Sequence, residues 1–387
     1  MVKKSNRGEV SPFYAMEILK EANKMENDGY NIMHMETGEP GNIAPSRVIE
    51  AAHKALECGE LGYTEAEGLP LLRKKIIQHY KDFYGICIDY EKVTVTMGSS
   101  GGLLLAFIAA FDVGDRVAMA TPSYPAYRNV LKSLGIKVIE LSSGIETRFQ
   151  PTVKLLKELD EPIQGLIIAS PSNPTGTMIP TAELVAISKF CDDHGIRIIS
   201  DEIYHGITYE RRADTVLSYS SDAVVANGFS KYFAMTGWRL GWLVLPHDLV
   251  RPIELLAQNY FISPPALSQH AAIAAFDCTD ELEENIRMYS ENRKILLEAL
   301  PQAGFSELAP SDGAFYIYAK VSNLTNNSEN FCRKMLQDIG VAATPGIDFS
   351  PRDGDQYVRF SYASKKETVS RSAELILDWL TKSNLEN

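Results

Sequence analysis

Lys231 stands in the run Gly-Phe-Ser-Lys-Tyr-Phe-Ala-Met-Thr-Gly-Trp-Arg-Leu-Gly-Trp at residues 228–242, just past an expected buried strand at 224–227. No acidic residue follows it until Asp248. A lysine among apolar neighbours loses its proton more readily, because burial disfavours the charged form. The neutral amine is a nucleophile that forms a Schiff base with an aldehyde. The bland alternative is a lysine that covers apolar surface with its stem. Taken alone the residue does not decide between the two.

Three further segments also fall where strands are expected to end. Thr-Met-Gly-Ser-Ser-Gly-Gly at 96–102 runs from a strand through glycines into a helix. Freed N–H groups and the hydroxyls of Ser99 and Ser100 would make a phosphate cradle there. The pattern is neither a Walker loop nor GxGxxG, so a plain strand–helix turn is an equal reading. Ser-Pro-Ser-Asn-Pro-Thr-Gly at 170–176 is a rigid turn that would project the Asn173 amide, or simply a turn. In Ile-Ser-Asp-Glu-Ile-Tyr at 199–204, Asp201 ends an apolar strand, where a carboxylate is costly unless paired. Tyr204 follows three residues later; an Asp that caps the next element is the simpler account. Arg239, eight residues after Lys231, sits between Trp238 and Leu240 and calls for an anion, phosphate or a structural carboxylate. A phosphate cradle, a carboxylate, a phenol, an amide and an isolated lysine are together the set that pyridoxal phosphate requires.

The elements that must position these groups are legible as runs. Short β-rich stretches recur at 93–96, 116–119, 137–140, 166–169, 197–200, 224–227 and 240–245, with amphipathic helical segments such as 181–194 between most of them. This predicts an α/β fold with a mostly parallel seven-stranded sheet covered on both faces, and ligands at the carboxyl ends of its strands. From about residue 282 the pattern changes to a long helix (282–303), Ala-Phe-Tyr-Ile-Tyr at 314–318, another helix, and Tyr-Val-Arg-Phe-Ser at 357–361. A smaller α+β domain is expected from residues 286–387 together with 1–45, whose helix would span 15–28. The large domain then covers 46–285, with a cleft between the two.

Bulk properties narrow the class. The chain has 387 residues and a net charge of −12, which disfavours nonspecific nucleic-acid binding. Its five cysteines are odd in number and widely spaced, so they read as reduced cytoplasmic thiols, neither a disulfide framework nor a metal site. Polar residues follow the N-terminal Met-Val-Lys-Lys where a signal peptide needs an apolar stretch. The longest apolar run, 103–111, is too short to cross a membrane.

The sequence resembles the class I aminotransferase family of fold-type I pyridoxal-phosphate enzymes, from Glu-Thr-Gly-Glu-Pro at 36–40 to Arg-Phe-Ser-Tyr-Ala at 359–363. Ser-Asn-Pro-Thr-Gly, Asp-Glu-Ile-Tyr and Ser-Lys followed by Gly-Trp-Arg-Leu-Gly carry the likeness in that order. The resemblance implies Lys231 as the Schiff-base lysine and catalytic proton carrier, and Asp201 as the partner of the pyridine nitrogen. It implies Asn173 and Tyr204 at the cofactor's phenolic oxygen, Ser99, Ser100 and Arg239 at its phosphate, and Tyr124 stacked on its ring. Tyr63, in Gly-Tyr-Thr-Glu-Ala-Glu-Gly at 62–68, would reach the phosphate of a neighbouring subunit, which implies a two-fold homodimer. Gly38 and Arg359 would hold the substrate α-carboxylate.

One position departs from the family: the serine usual three residues before the lysine is Gly228, so one hydroxyl contact is missing, and Ser230 is expected to point differently. The implied activity is transfer of an α-amino group from an L-amino acid to a 2-keto acid. Where some aspartate-specific relatives carry a lysine near the phosphate turn, this chain has Ser100. Ser-Pro-Phe-Tyr at 11–14 and Tyr-Phe-Ile-Ser-Pro-Pro at 260–265 are expected to line the pocket, which favours a neutral, apolar or aromatic donor. The same scaffold also serves C–S lyases and, in another class, amino-acid-sensing modules of transcription regulators. The latter need an N-terminal DNA-binding segment that the roughly forty residues before the core do not supply.

Overall fold

The computed structural model describes residues 2–59 and 61–385. In chain order its strands are β1 (Met33–His34), β2 (Val93–Thr96), β3 (Arg116–Thr121), β4 (Lys137–Ser142), β5 (Gly165–Ala169), β6 (Arg197–Asp201), β7 (Val224–Gly228), β8 (Gly241–Val244), β9 (Tyr316–Lys320), β10 (Val341–Ala342), β11 (Thr344–Pro345) and β12 (Tyr357–Ser361). The helices are α1 (Tyr14–Asn27), α2 (Ser46–Cys58), α3 (Pro70–Tyr84), α4 (Gly98–Ala110), α5 (Pro125–Leu134), α6 (Val153–Lys157), α7 (Thr181–His194), α8 (His247–Tyr260), α9 (Ala266–Ala275), α10 (Thr279–Gln302), α11 (Ser328–Ile339) and α12 (Lys366–Leu385).

Seven strands form one sheet in the order β2-β8-β7-β6-β5-β3-β4, and only β8 runs against its neighbours. Every residue of β2, β7 and β8 is buried, as expected where helices cover both faces and the strand need not alternate. The pleat still sorts side chains into two cores. Leu166, Ile168, Ile198, Val225 and Trp242 point to one face, Ile167, Ile199, Val224, Ala226 and Leu243 to the other.

Because β8 is antiparallel to both β7 and β2, those two strands share a direction. The carboxyl ends of β2, β3, β5, β6 and β7 therefore emerge along one edge of the sheet. A second sheet, in the order β11-β12-β9, is antiparallel, and β1 pairs in parallel with β10. That short pairing ties the N-terminal segment to the last third of the chain and was not expected from the sequence. The strand expected at 314–318 starts at Tyr316 instead. Ala314 is left-handed (φ 55), a conformation a regular strand does not accept.

Phe229 stands between β7 and Lys231 and is fully buried against Phe233, Trp242 and Phe276 at centroid distances of 5.0–5.6 Å. Phe229→Ala is expected to lower stability by roughly 3–5 kcal/mol, read as a fall in the denaturant midpoint.

Candidate active site

A cavity of about 450 Å³ opens along the edge where the parallel strands end. Gly38, Ser99, Ser100, Tyr124, Asn173, Asp201, Tyr204, Lys231, Arg239 and Arg359 all line it. Tyr63 does not: its side chain is 83% exposed and borders a separate shallow depression with Gly62 and His270. Segment 260–265 is also absent from the cavity wall. Tyr260 and Ile262 are exposed, and Ser263 instead faces Thr64. Another cavity, of about 550 Å³, lies beside His79, Arg212 and Tyr232 and contains none of the predicted residues.

One end of the site is built to receive an anion. Helix α4 begins there, and its N-cap, Met97, offers no side-chain bond to the first turn. The amides at that terminus and the Ser99 and Ser100 hydroxyls remain available to a ligand. Arg239 is left-handed (φ 53), exposed, and makes no ion pair among the described residues; its guanidinium bonds only the Thr236 carbonyl, at 3.1 Å.

Close approach explains three glycines here. A Cβ on Gly98 would lie 2.9 Å from Arg239 Nη2, and one on Gly241 would lie 2.6 Å from the Ser99 nitrogen. Gly228 pairs with Gly241, and a Cβ there would meet the Leu240 carbonyl at 3.1 Å and Gly241 Cα at 3.2 Å. Position 228 is thus crowded by backbone and by Ile203 Cδ1 at 3.2 Å. Ser230, expected to point elsewhere, lines the cavity.

At the centre, Asp201 is buried and accepts hydrogen bonds from the Tyr127 hydroxyl (2.5 Å, to Oδ2) and the Ile203 amide (3.1 Å, to Oδ1). Burial pushes its carboxyl above the usual range, while Tyr127, Ile203 and the nearby Lys231 pull it back. Tyr127 was missed in the sequence, although its spacing three residues after Tyr124 on α5 was a usable signal. Tyr204 Oη lies 2.7 Å from Tyr316 Oη, and a Cβ on Gly38 would collide with that Tyr316 hydroxyl at 2.0 Å. Tyr316, too, was not singled out; nothing in Phe-Tyr-Ile-Tyr distinguishes it from a core aromatic.

Lys231 donates from Nζ to the Gly38 carbonyl. Burial pushes its ammonium down to about 8; Arg359 and Arg239 add to the effect, and Glu39 and Asp201 oppose it. Arg359 is 2% exposed. Its Nη1 donates to Asn173 Oδ1 at 2.8 Å, its Nη2 to Thr344 Oγ1 at 3.1 Å and to the Glu36 carbonyl, and its Cζ lies 4.5 Å from the Tyr316 ring centroid. The Nε–H is buried with no partner. Arg359 lines the cavity, and a guanidinium there is a place for a ligand anion.

Two anion sites, a depressed amine, a buried carboxylate and the Tyr124 ring fit a phosphorylated aromatic aldehyde and an amino acid. No cluster of metal-ligating side chains occurs among the described residues, and no described helix is long and apolar enough to cross a membrane.

A family model described as aminotransferase class I and II matches residues 30–376. A Mycobacterium tuberculosis protein named valine–pyruvate aminotransferase is 47% identical over 378 residues, covering 97% of each chain. The crystal structure of an aminotransferase from the same organism superposes with a TM-score of 0.97 at 46% identity, covering 99% of this chain and 100% of that one. Aspartate aminotransferase from Thermus thermophilus with maleate gives a TM-score of 0.92 at 28% identity, over 98% of this chain and 100% of that one.

Two tests follow from the electrostatics. Only neutral Lys231 attacks an aldehyde, so trapping of the cofactor-free protein by pyridoxal and borohydride should speed up about tenfold per pH unit and level off above about 8. An amine that still gained reactivity at pH 10 would not be depressed. Tyr127→Phe removes a hydrogen bond to a charged group, so turnover should fall roughly tenfold or more. The acidic limb of kcat/KM should also move to higher pH, because Asp201 then protonates more easily; an unmoved limb would remove the role.

Proposed function

This chain belongs to aminotransferase class I and II and is a transaminase, and from that premise we propose that it uses pyridoxal phosphate to move an amino group from a neutral, apolar L-amino acid such as valine to a small 2-keto acid such as pyruvate. The observation that carries the donor class is the inventory of charge in the cavity. Among its described lining residues the cations are Lys231, Arg239 and Arg359, each already assigned to the aldehyde, the phosphate or the α-carboxylate. None is left for a second substrate carboxylate, and Glu39 would repel one. The apolar part of the remaining wall is Phe13, Ala15, Met16, Leu19, Leu103 and Ile203, and its uncharged polar part includes Thr37, Ser230 and Thr236. The 47% identical relative bears a valine–pyruvate name, whereas relatives named aspartate aminotransferase stand at 28–32%.

In this reading the first turn of α4, Ser99, Ser100 and Arg239 would hold the cofactor's phosphate, Tyr124 would pack on its ring and Asp201 would pair with its nitrogen. Asn173 gives its Oδ1 to Arg359, which leaves its Nδ2 to donate to the phenolic oxygen beside Tyr204. The bound cofactor supplies an electron sink for the pair left when the donor's α-proton departs. Arg359 grips the α-carboxylate beside Gly38 and so orients the α-carbon. Lys231 Nζ would take the donor's α-proton and later give it back, and an ammonium depressed to about 8 suits both directions.

Residues 46–285 form the cofactor-binding unit, and 1–45 with 286–387 form the unit that closes over it. Tyr63, exposed and outside its own cavity, is consistent with a two-fold homodimer in which it reaches the other site. The free cysteines suit the cytoplasm. The aminotransferase relatives disfavour the C–S lyase reading.

Initial rates with valine, leucine, alanine, phenylalanine and aspartate against pyruvate test the donor class. Valine should exceed aspartate in kcat/KM by roughly tenfold or more. A preference for aspartate would overturn the donor reading.

A further inference from the structure

Helix α1 has no cap of its own. Its N-cap Phe13 is extended (φ −97, ψ 97) and offers no side-chain bond to the first turn. The first two amides of the helix are instead taken by a residue from the other end of the chain. Tyr14 N–H donates to Asp348 Oδ1 at 3.0 Å, and Ala15 N–H to Asp348 Oδ2 at 3.2 Å. Asp348 ends the short 3-10 turn Gly346–Asp348 that follows β11, and it is 4% exposed. A carboxylate buried so deeply is tolerable only where hydrogen bonds and positive potential meet it, and the start of a helix supplies both.

Helix α1 presents two faces. Ile18 and Ala22 are buried with Ile32, Leu336 and Ala342. Met16 and Leu19, three residues apart, face the cavity together with Phe13. Met16 is 51% exposed, an apolar side chain at the cavity mouth with little protein over it. The strand that leads to Asp348 also holds Thr344, whose hydroxyl accepts from Arg359 Nη2. The α-carboxylate grip and the apolar wall are therefore both referenced to residues 344–348.

We propose that Asp348 is a positioning residue for donor selection: by bridging the amides of Tyr14 and Ala15 it fixes the distance between Arg359 and the Met16–Leu19 wall, and so the length of aliphatic side chain the site accepts. The side-chain clause rests on the apolar-donor reading above; the anchoring clause does not.

The test compares holoenzyme variants Asp348→Ala, Asp348→Asn and Met16→Ala by amide exchange and steady-state kinetics. Asp348→Ala should speed exchange at the start of α1 by about tenfold or more. It should raise KM for valine roughly tenfold while kcat and the KM for alanine change less than about threefold, since a methyl group does not reach the wall. Asp348→Asn keeps one acceptor oxygen and should fall between, which preserves the test if the alanine variant folds poorly. Met16→Ala should raise KM for valine with exchange unchanged. Unaltered exchange in Asp348→Ala overturns the anchor whatever the substrate. Faster exchange with equal KM losses for alanine and valine overturns the link to side-chain length. A wild type that prefers aspartate overturns the donor clause, while exchange at Tyr14 and Ala15 still decides the anchor.

Discussion

Arg359 is a permanent charge at 2% exposure, and much of the polar architecture around the cleft exists to satisfy it. An uncompensated buried charge costs several kcal/mol, so its surroundings cannot be assembled piecemeal. Asn173 comes from the turn after β5, the Glu36 carbonyl from the segment after β1, and Thr344 from β11. Tyr316 and Phe349 close over the guanidinium, their ring centroids 4.5 and 4.9 Å from its Cζ. One side chain thereby joins three distant stretches of sequence. Its charge also helps to hold Lys231 in a basicity range where the amine can act as nucleophile and base.

The seven-stranded sheet contributes something different, a shared edge. Asp201, Asn173, Tyr124, Ser99 and Lys231 lie far apart in the chain, yet each stands at or just past the carboxyl end of a strand running in the same direction. The single reversed strand, β8, lies between β7 and β2 and starts at this edge, so Arg239, two residues before it, stands there too. The backbone then closes in. Gly241 lets the start of β8 approach the α4 terminus within a distance that a side chain would block, Gly228 is tightly enclosed beside it, and Gly98 takes a positive φ of 70° that favours glycine.

Much of this was readable beforehand, for identifiable reasons. The central strands of the large sheet are buried on both faces and so appear as unbroken apolar runs, and α7 matches its expected span because Gly195 ends it in the left-handed region (φ 66). Residues in the site could be picked out where a polar group interrupts an apolar run, as with Lys231, Asp201 and Arg239. Tyr127, Tyr316 and Asp348 were not, because a tyrosine in an aromatic stretch looks like core and an aspartate near a turn looks like a cap. Their roles depend on partners 74, 112 and 333 or more residues away. Segment 260–265 lies outside this chain's own cavity, beside the Tyr63 loop, because composition suggests a wall without giving its direction.

The glycines at 228 and 241 differ in how much change each would bear. At 241 a Cβ would lie 2.6 Å from the Ser99 nitrogen, so any larger residue there must displace the start of α4. At 228 the nearest atoms stand at 3.1–3.2 Å, so a Cβ is admitted where its neighbours give by a few tenths of an ångström. The first position acts as a fixed pin between strand and helix, the second as a tight but yielding joint.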